Sequence, residues 1–299
     1  MIMQIFDSHI HLFNEKIVEN VSSRKDLVQR LNLQTNGALV RLEMNSLRQS
    51  LEASGVSGGL ILPTAAPMDI RKMNDRFLNI VSEQEFLHTA GTLHPDFPDN
   101  QGEITRLSRH GIRAIKLCSF SQGFKLDGSS TLKLFDLIQH HNETCSHPFF
   151  VVLDTLFRAD RWFGTDPAFN TTPAGICALA HRFPAINFVG AHMGGLSAPF
   201  DEIQRHLIPC DNFYLDTSNA AHTLKKAEFV ELLKRFGARH VLFGTDWPWF
   251  VHEDEIALIQ ELVNTAGFGP AEAQSVFYGN IARLMGLISK RNLEKQPTS

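Results

Sequence analysis

The fold turns on three stretches in a row. They are Phe149-Phe150-Val151-Val152-Leu153-Asp154-Thr155, a helical segment opened by Thr172-Pro173, and Asn187-Phe188-Val189-Gly190-Ala191-His192. The two apolar runs lack the polar alternation of a half-exposed strand, so each reads as a strand buried on both faces. Between them Thr172 is an N-cap and Pro173 the first helical residue, which starts a helix running to about residue 183. Strand, helix and strand of this kind make a parallel βαβ unit.

The unit recurs along the chain. Apolar runs at 3–11, 58–63, 89–94, 114–119, 149–155, 187–192, 213–217 and 241–246 alternate with helical spacing, for example at 132–141, 223–236 and 271–288. Eight strands with intervening helices in 299 residues predict an α/β fold, a single-domain (β/α)8 TIM barrel over 1–289, ahead of an open doubly wound sheet. Residues 14–45 separate the first strand from its helix by more than a tight loop, and are expected to form a lid insertion over the C-terminal face. The last helix, 271–288, is expected on the outside, and the polar tail 290–299 is expected to fray.

Composition excludes several function classes. With 28 Lys+Arg against 32 Asp+Glu the net charge is −4, which disfavours nucleic acid and anionic membrane as partners. No uncharged stretch approaches the ~18 residues of a membrane span. Phosphate loops, Gly-x-Gly-x-x-Gly and Gly-x-Ser-x-Gly are absent, so nucleotide and serine-hydrolase chemistry lose their usual support. Cys118, Cys145, Cys177 and Cys210 form no Cys-x-x-Cys pair and read as reduced thiols; with no leader signal, this predicts a cytoplasmic protein. The expected partner is a small-molecule substrate, and a homo-oligomer is left open.

Chemistry concentrates where strands end. The first strand closes on Asp7-Ser8-His9-Ile10-His11, and period-two alternation puts His9 and His11 on one side. About 0.7 His-x-His pairs arise by chance in such a chain, so position and company carry the reading. Asp154, His192 and Asp246 each follow an apolar run where a strand emerges. Five such residues on four strands of one barrel form a nitrogen/oxygen site for a divalent metal.

These motifs resemble the amidohydrolase superfamily, in its amidohydrolase-related branch of TIM-barrel metal-dependent hydrolases and decarboxylases. The resemblance rests on Asp-x-His-x-His at 7–11, His192-Met193-Gly194-Gly195 and Gly244-Thr245-Asp246-Trp247-Pro248. It extends to Gly111-Ile112-Arg113-Ala114-Ile115-Lys116-Leu117 and to the segment from Gly279 to Leu287. It implies that His9, His11 and Asp246 ligate one divalent ion, Zn²⁺ as first choice and Mn²⁺ or another as alternative. It also implies that His192 is a ligand or a catalytic acid/base.

The family pattern places a histidine at the end of strand five, where this chain has Asp154, so either an aspartate ligates or the site is weakened. Lys116 stands where some members carry a carboxylated lysine bridging two metals; a lysine paired with Asp154 or Asp7, or a substrate contact, is the alternative. Arg158 and Arg161 are candidates for gripping a substrate carboxylate, and Trp247 for an apolar wall.

A metal-bound water has its pKa lowered towards ~7. With Asp246 moving its proton and His192 steadying the oxyanion, the first expectation is hydrolysis of an amide, lactone or ester. Non-oxidative decarboxylation of an unsaturated or aromatic acid is the alternative, and a binding barrel without catalysis the third reading.

Overall fold

The computed structural model describes residues 3–287. Among them nine strands are formed: β1 (Phe6–Ile10), β2 (Gly58–Ile61), β3 (Leu87–Thr89), β4 (Gly91–Thr92), β5 (Ala114–Leu117), β6 (Phe150–Leu153), β7 (Asn187–Gly190), β8 (Phe213–Asp216) and β9 (Val241–Leu242). They pair in parallel as β1-β2-β3 and as β4 through β9 in chain order. β3 and β4 are one barrel position interrupted at Ala90, whose N–H still donates to Ile61 O at 2.8 Å.

The ends of the sheet meet. Ser8 N–H donates to Phe243 O (2.9 Å), Asp246 N–H to His9 O (3.0 Å) and His11 N–H to Trp247 O (2.8 Å). The result is the single-domain TIM barrel that the eight runs predict, with helices on the outside and strand C-terminal ends at one mouth.

Alternation divides each strand between two cores. Phe6, Leu60, Ala114, Phe150, Val189 and Leu242 belong to the inner cluster, while Ile115, Val151, Leu153, Phe188 and Leu215 pack outward beneath the helices. Each fully buried Phe or Leu contributes about 1.5–3 kcal/mol. Two residues further along the same inward rows, apolar gives way to polar. Ala114 is followed by Lys116, Val152 by Asp154 and Tyr214 by Asp216, so the barrel has an apolar floor and a charged mouth.

β1 breaks this parity. Its register against β2 shifts between Asp7 and Ile10, and the bulge lets Phe6 and His9, an odd number of residues apart, both face inward. Without it His9 and His11 would point into the outer core.

The last helix corrects an expectation. It runs as Pro270–Gln274, a wider turn at Ser275–Gly279 and Asn280–Leu284, and Ile281 and Met285 join the inner cluster. Its first half packs in the outer cluster as expected, through Ala273, Val276 and Phe277, while its end turns under the barrel and plugs the floor. Helical periodicity shows that one face is apolar but not which surface it covers. The end of this segment at 288 and the tail 290–299 lie outside the described residues.

Residues 14–45 fold as two short helices, Glu15–Ser23 and Lys25–Leu31, and a tight turn at Val40–Leu42. They sit across the mouth, pinned by Arg30 Nε to Ser197 Oγ and Arg41 Nε to Pro248 O, both 2.5 Å.

Beside β4, Glu103 is fully buried. It accepts from Arg106 (2.6 and 2.9 Å), Asn74 (2.7 Å) and Arg71 (3.3 Å), and Asn74 in turn holds the backbone of Thr92. Burial opposes ionisation, but these donors outweigh it and hold the carboxyl below its ordinary 4.5. Glu103→Gln is expected to destabilise the fold by about 3 kcal/mol at pH 7, the scale of a broken buried ion pair. Because the folded pKa is depressed, the stabilisation is present above 4.5 and is lost as pH falls through the folded value. Thermal melts of the two proteins should therefore converge in acid, and equal melts at pH 7 would show that the network is neutral.

Candidate metal centre

His9 is fully buried, and its Nδ1–H donates to Asp216 Oδ2 at 2.9 Å. His11 Nδ1–H donates to Leu62 O at 3.2 Å. Since a carboxylate and a carbonyl only accept, each ring carries its proton on Nδ1 and leaves a lone pair on Nε2. The two Nε2 atoms nevertheless face each other at 3.0 Å, where two lone pairs repel unless a cation lies between them. Asp246 Oδ1 lies 3.7 and 3.5 Å from the same atoms. Ligands about 2.1 Å from one ion show such separations at roughly 90–125°. The donor set fits a divalent metal.

Titration points the same way. Burial, with His9 adding to it, pushes the His11 imidazole well below its ordinary value and keeps it in the neutral, ligating form. Burial also raises the Asp246 carboxyl, a penalty that a bound cation would reverse.

The supports around this centre are local and specific. Asp246 (φ +65°) and His192 (φ +55°) occupy the left-handed region, which concentrates at functional sites. Asp7, fully buried, accepts on Oδ1 from the N–H of His9 (2.9 Å) and of Thr245 (3.1 Å). Its Oδ2 accepts from Thr245 Oγ1 (2.5 Å) and His252 Nε2 (3.1 Å). One carboxylate thus locks the β1 end to the loop carrying Asp246. A Cβ at Gly244 would meet the Cβ of His9 at 2.8 Å, so only glycine allows the last strand to approach this closely.

Across the mouth, His192 Nδ1–H donates to Ser218 O at 2.9 Å, and its Nε2 faces Asp154 Oδ2 at 3.6 Å. Burial works against a charged ring here, but the surrounding carboxylates of Asp154, Asp246 and Asp216 outweigh it and lift the imidazole to about 9. Burial likewise opposes the Asp154 carboxylate, yet His192 and Lys116 hold it well below the usual range.

Among the described residues, ligand-type atoms converge within 4.8 Å as His9, His11 and Asp246, and again as His9, His192 and Asp216. The second group is a hydrogen-bonded scaffold: Asp216 Oδ1 accepts from His192 N–H at 2.9 Å while Oδ2 holds His9. Asp154 is in neither group. Of the four expected ligands, three meet and Asp154 pairs with His192 instead.

Lys116 is buried at the mouth with no hydrogen-bond partner for Nζ among the described residues, so the expected pairing with Asp154 or Asp7 does not form. Arg158 is turned to Asp160 (3.2 Å). Trp247 is buried, and its indole donates to Arg41 O at 3.0 Å. Arg158, Arg161 and Trp247 are all absent from the lining of the mouth cavity. That cavity, about 640 Å³, is lined by His11, Lys116 and Asp154, by the helix Glu15–Ser23 and by Phe13, Phe77, Phe120 and Phe163. Cys118 also lines it, but burial pushes its thiol up to about 12, which keeps it protonated and a poor nucleophile.

Asp216 is the functional residue that sequence reasoning missed. Its signal was there, since it ends the run Phe213-Tyr214-Leu215 as Asp154 ends its own. Asp216→Asn would let an amide N–H face His9 Nδ1, favouring the tautomer whose Nε2 is protonated and cannot ligate. Metal affinity is expected to fall about 10–100-fold, read by chelator competition, and an unchanged affinity would mean that Asp216 does not orient His9.

Comparison with known proteins places this architecture. The chain spans nearly the whole length of several solved structures. A dihydroxybenzoic acid decarboxylase from a Polaromonas species, with bound manganese and the inhibitor 2-nitroresorcinol, superposes with a TM-score of 0.69 at 17% identity, covering 97% of this chain and 99% of that one. The 5-carboxyvanillate decarboxylase of Sphingomonas paucimobilis gives 0.64 at 16%, with 95% and 99% covered. A provisionally named 2-pyrone-4,6-dicarboxylic acid hydrolase from Pseudomonas putida gives 0.59 at 19%, with 96% and 98% covered. At these identities the likeness is one of fold. No curated protein matches the sequence. The family description that does match is Amidohydrolase, over residues 7–287. With the motifs of β1 and β9 inside that span, the chain belongs to the amidohydrolase family.

Proposed function

We propose that the protein is a metal-dependent enzyme that removes carboxylate as CO₂ from a small unsaturated or aromatic acid, with lactone or ester hydrolysis as the second reading. This reverses the order that the motifs alone suggest. The supporting observation is the Nε2 pair of His9 and His11 closing with Asp246 beside a mouth cavity that His11 lines and that is aromatic and basic. Such a cavity suits a flat organic anion better than a peptide-like amide. The decarboxylases among the structural relatives add weight, and the manganese of the Polaromonas enzyme puts Mn²⁺ ahead of Zn²⁺ as the ion to test.

His9, His11 and Asp246 would hold the ion, which supplies positive charge to orient the acid and to stabilise charge developing on its oxygens. Asp246 and His192 are the groups placed to move protons. Decarboxylation needs a proton delivered to the carbon that bears the carboxylate; the C–C bond then breaks, its electron pair restores the conjugated system, and CO₂ leaves. Asp246, placed against the Nε2 atoms of His9 and His11, is the carboxyl that would carry this proton. His192, pinned through Nδ1, turns Nε2 towards Asp154, which lines the cavity, and from there would steady charge on a substrate oxygen. In hydrolysis, the second reading, the same carboxylate would take a proton from water and return it to the leaving group.

The test is a panel of hydroxybenzoates and lactones given to protein loaded with Mn²⁺ or Zn²⁺, run in D₂O. Decarboxylation leaves one deuterium on the vacated carbon, whereas hydrolysis releases acid without CO₂. Protein that binds neither ion and turns over neither panel would end both readings.

A further inference from the structure

The lining of the mouth cavity departs from the charge of the chain as a whole. The protein carries a net −4, yet the cavity is lined by four basic side chains, Lys16, Arg24, Arg76 and Lys116, against the single carboxylate of Asp154. Two of the four differ sharply in depth, and among the described residues neither makes an ion-pair contact. Lys116 is only 1% exposed and its Nζ has no hydrogen-bond partner. Arg76 stands at the rim, its guanidinium 5.7 Å from the centroid of Phe77, outside every ion pair among the described residues. Arg24, by contrast, is occupied by Asn20 (2.9 Å) and Trp162 O.

A buried ammonium without a partner is costly unless something brings it an acceptor. None of the described residues does so here, although Ser121 and Thr64 also line the cavity. Between the deep and the outer cation the walls are apolar, with Phe13, Phe77, Phe120, Phe163, Leu62 and Ile17. Aromatic walls of this kind suit a planar conjugated body, and 640 Å³ lies in the range of small-molecule sites.

From this juxtaposition we propose that the cavity selects a planar dianion: Lys116 anchors one anionic group beside the metal centre, and Arg76 receives a second at the rim. Lys116 is then a specificity residue, not a bridging carboxylated lysine. The inference rests on the mouth being the active site, but its test requires no turnover.

Isothermal titration of Mn²⁺-loaded protein with isophthalate and with benzoate isolates the two anchors. Wild type should bind isophthalate at least ~10-fold more tightly than benzoate, with an advantage that shrinks as salt is added. Lys116→Met should weaken both ligands by ~10-fold or more, the scale of a charge-assisted bond. Arg76→Gln, exposed and safe for folding, should remove the isophthalate advantage and leave benzoate unchanged. Equal affinities in wild type, an unchanged isophthalate affinity in Arg76→Gln, or a carboxyl adduct on Lys116 in the native mass spectrum would each overturn the proposal. A protein that binds isophthalate as described but turns nothing over would sink the proposed chemistry and keep this inference. One that opens neutral lactones and ignores both acids would do the reverse.

Discussion

Asp246→Asn is expected to bring bound divalent metal from about one ion per chain to a small fraction of that, and to lower turnover by ~10³-fold or more. Two losses combine in that figure. The site exchanges its one carboxylate for a neutral amide, so the two imidazoles must hold a doubly charged ion without compensating charge. The proton carrier also disappears, and a positioned acid/base alone contributes 10²–10⁴-fold. Folding should survive, for reasons visible in the backbone. Asp246 sits at φ +65°, a region that asparagine enters as readily as aspartate. The bonds that hold the loop there use its main chain, with N–H donating to His9 O and C=O accepting from Trp249 N–H, both at 3.0 Å. Elemental analysis and a thermal melt on one preparation separate the cases. Full metal occupancy with an unchanged rate would remove Asp246 from the site.

The barrel was legible because its strands are buried on both faces. Runs such as Phe149–Leu153 cannot be exposed without a large apolar penalty, and eight of them leave few ways to close a sheet. The mouth was legible for a related reason: a charged residue directly after such a run, as at Asp154, His192 and Asp246, must emerge where the strand ends. Distance was not legible. Sequence spacing says that Asp154 shares the mouth with His9, but not that it stands nearer to His192 Nε2 than to the His9–His11 pair. The bulge between Asp7 and Ile10 leaves no compositional trace, because local alternation of His9 and His11 is the same with or without it. Lys116 reads as a pairable surface-type charge until neighbouring strands bury it. Four of the many phenylalanines wall the cavity, which composition does not show, since apolarity does not reveal whether a ring meets protein or ligand.

His192→Asn should leave metal content and folding nearly intact while lowering turnover by ~10²-fold, the scale of one lost acid/base or oxyanion donor. Asparagine again suits the backbone, here at φ +55°, and its amide can still donate towards Ser218 O. What disappears is the ring nitrogen opposite Asp154. A residue that only filled the core would behave otherwise, costing stability through the cavity it left while sparing the rate of the folded fraction. Metal-free protein offers a second, independent readout. The folded imidazole is raised from 6.5 to about 9 by the carboxylates around it, so its charge stabilises the fold fully below pH 6.5 and ceases to do so as pH rises through about 9. Wild type should therefore lose thermal stability relative to His192→Asn across that interval. Parallel melting curves from pH 6 to 10 would mean that Asp154 and His192 do not form a charge pair. Asp154, freed from that pairing, would then be available to the metal after all, and Asp154→Asn should weaken metal binding where the paired arrangement predicts no change.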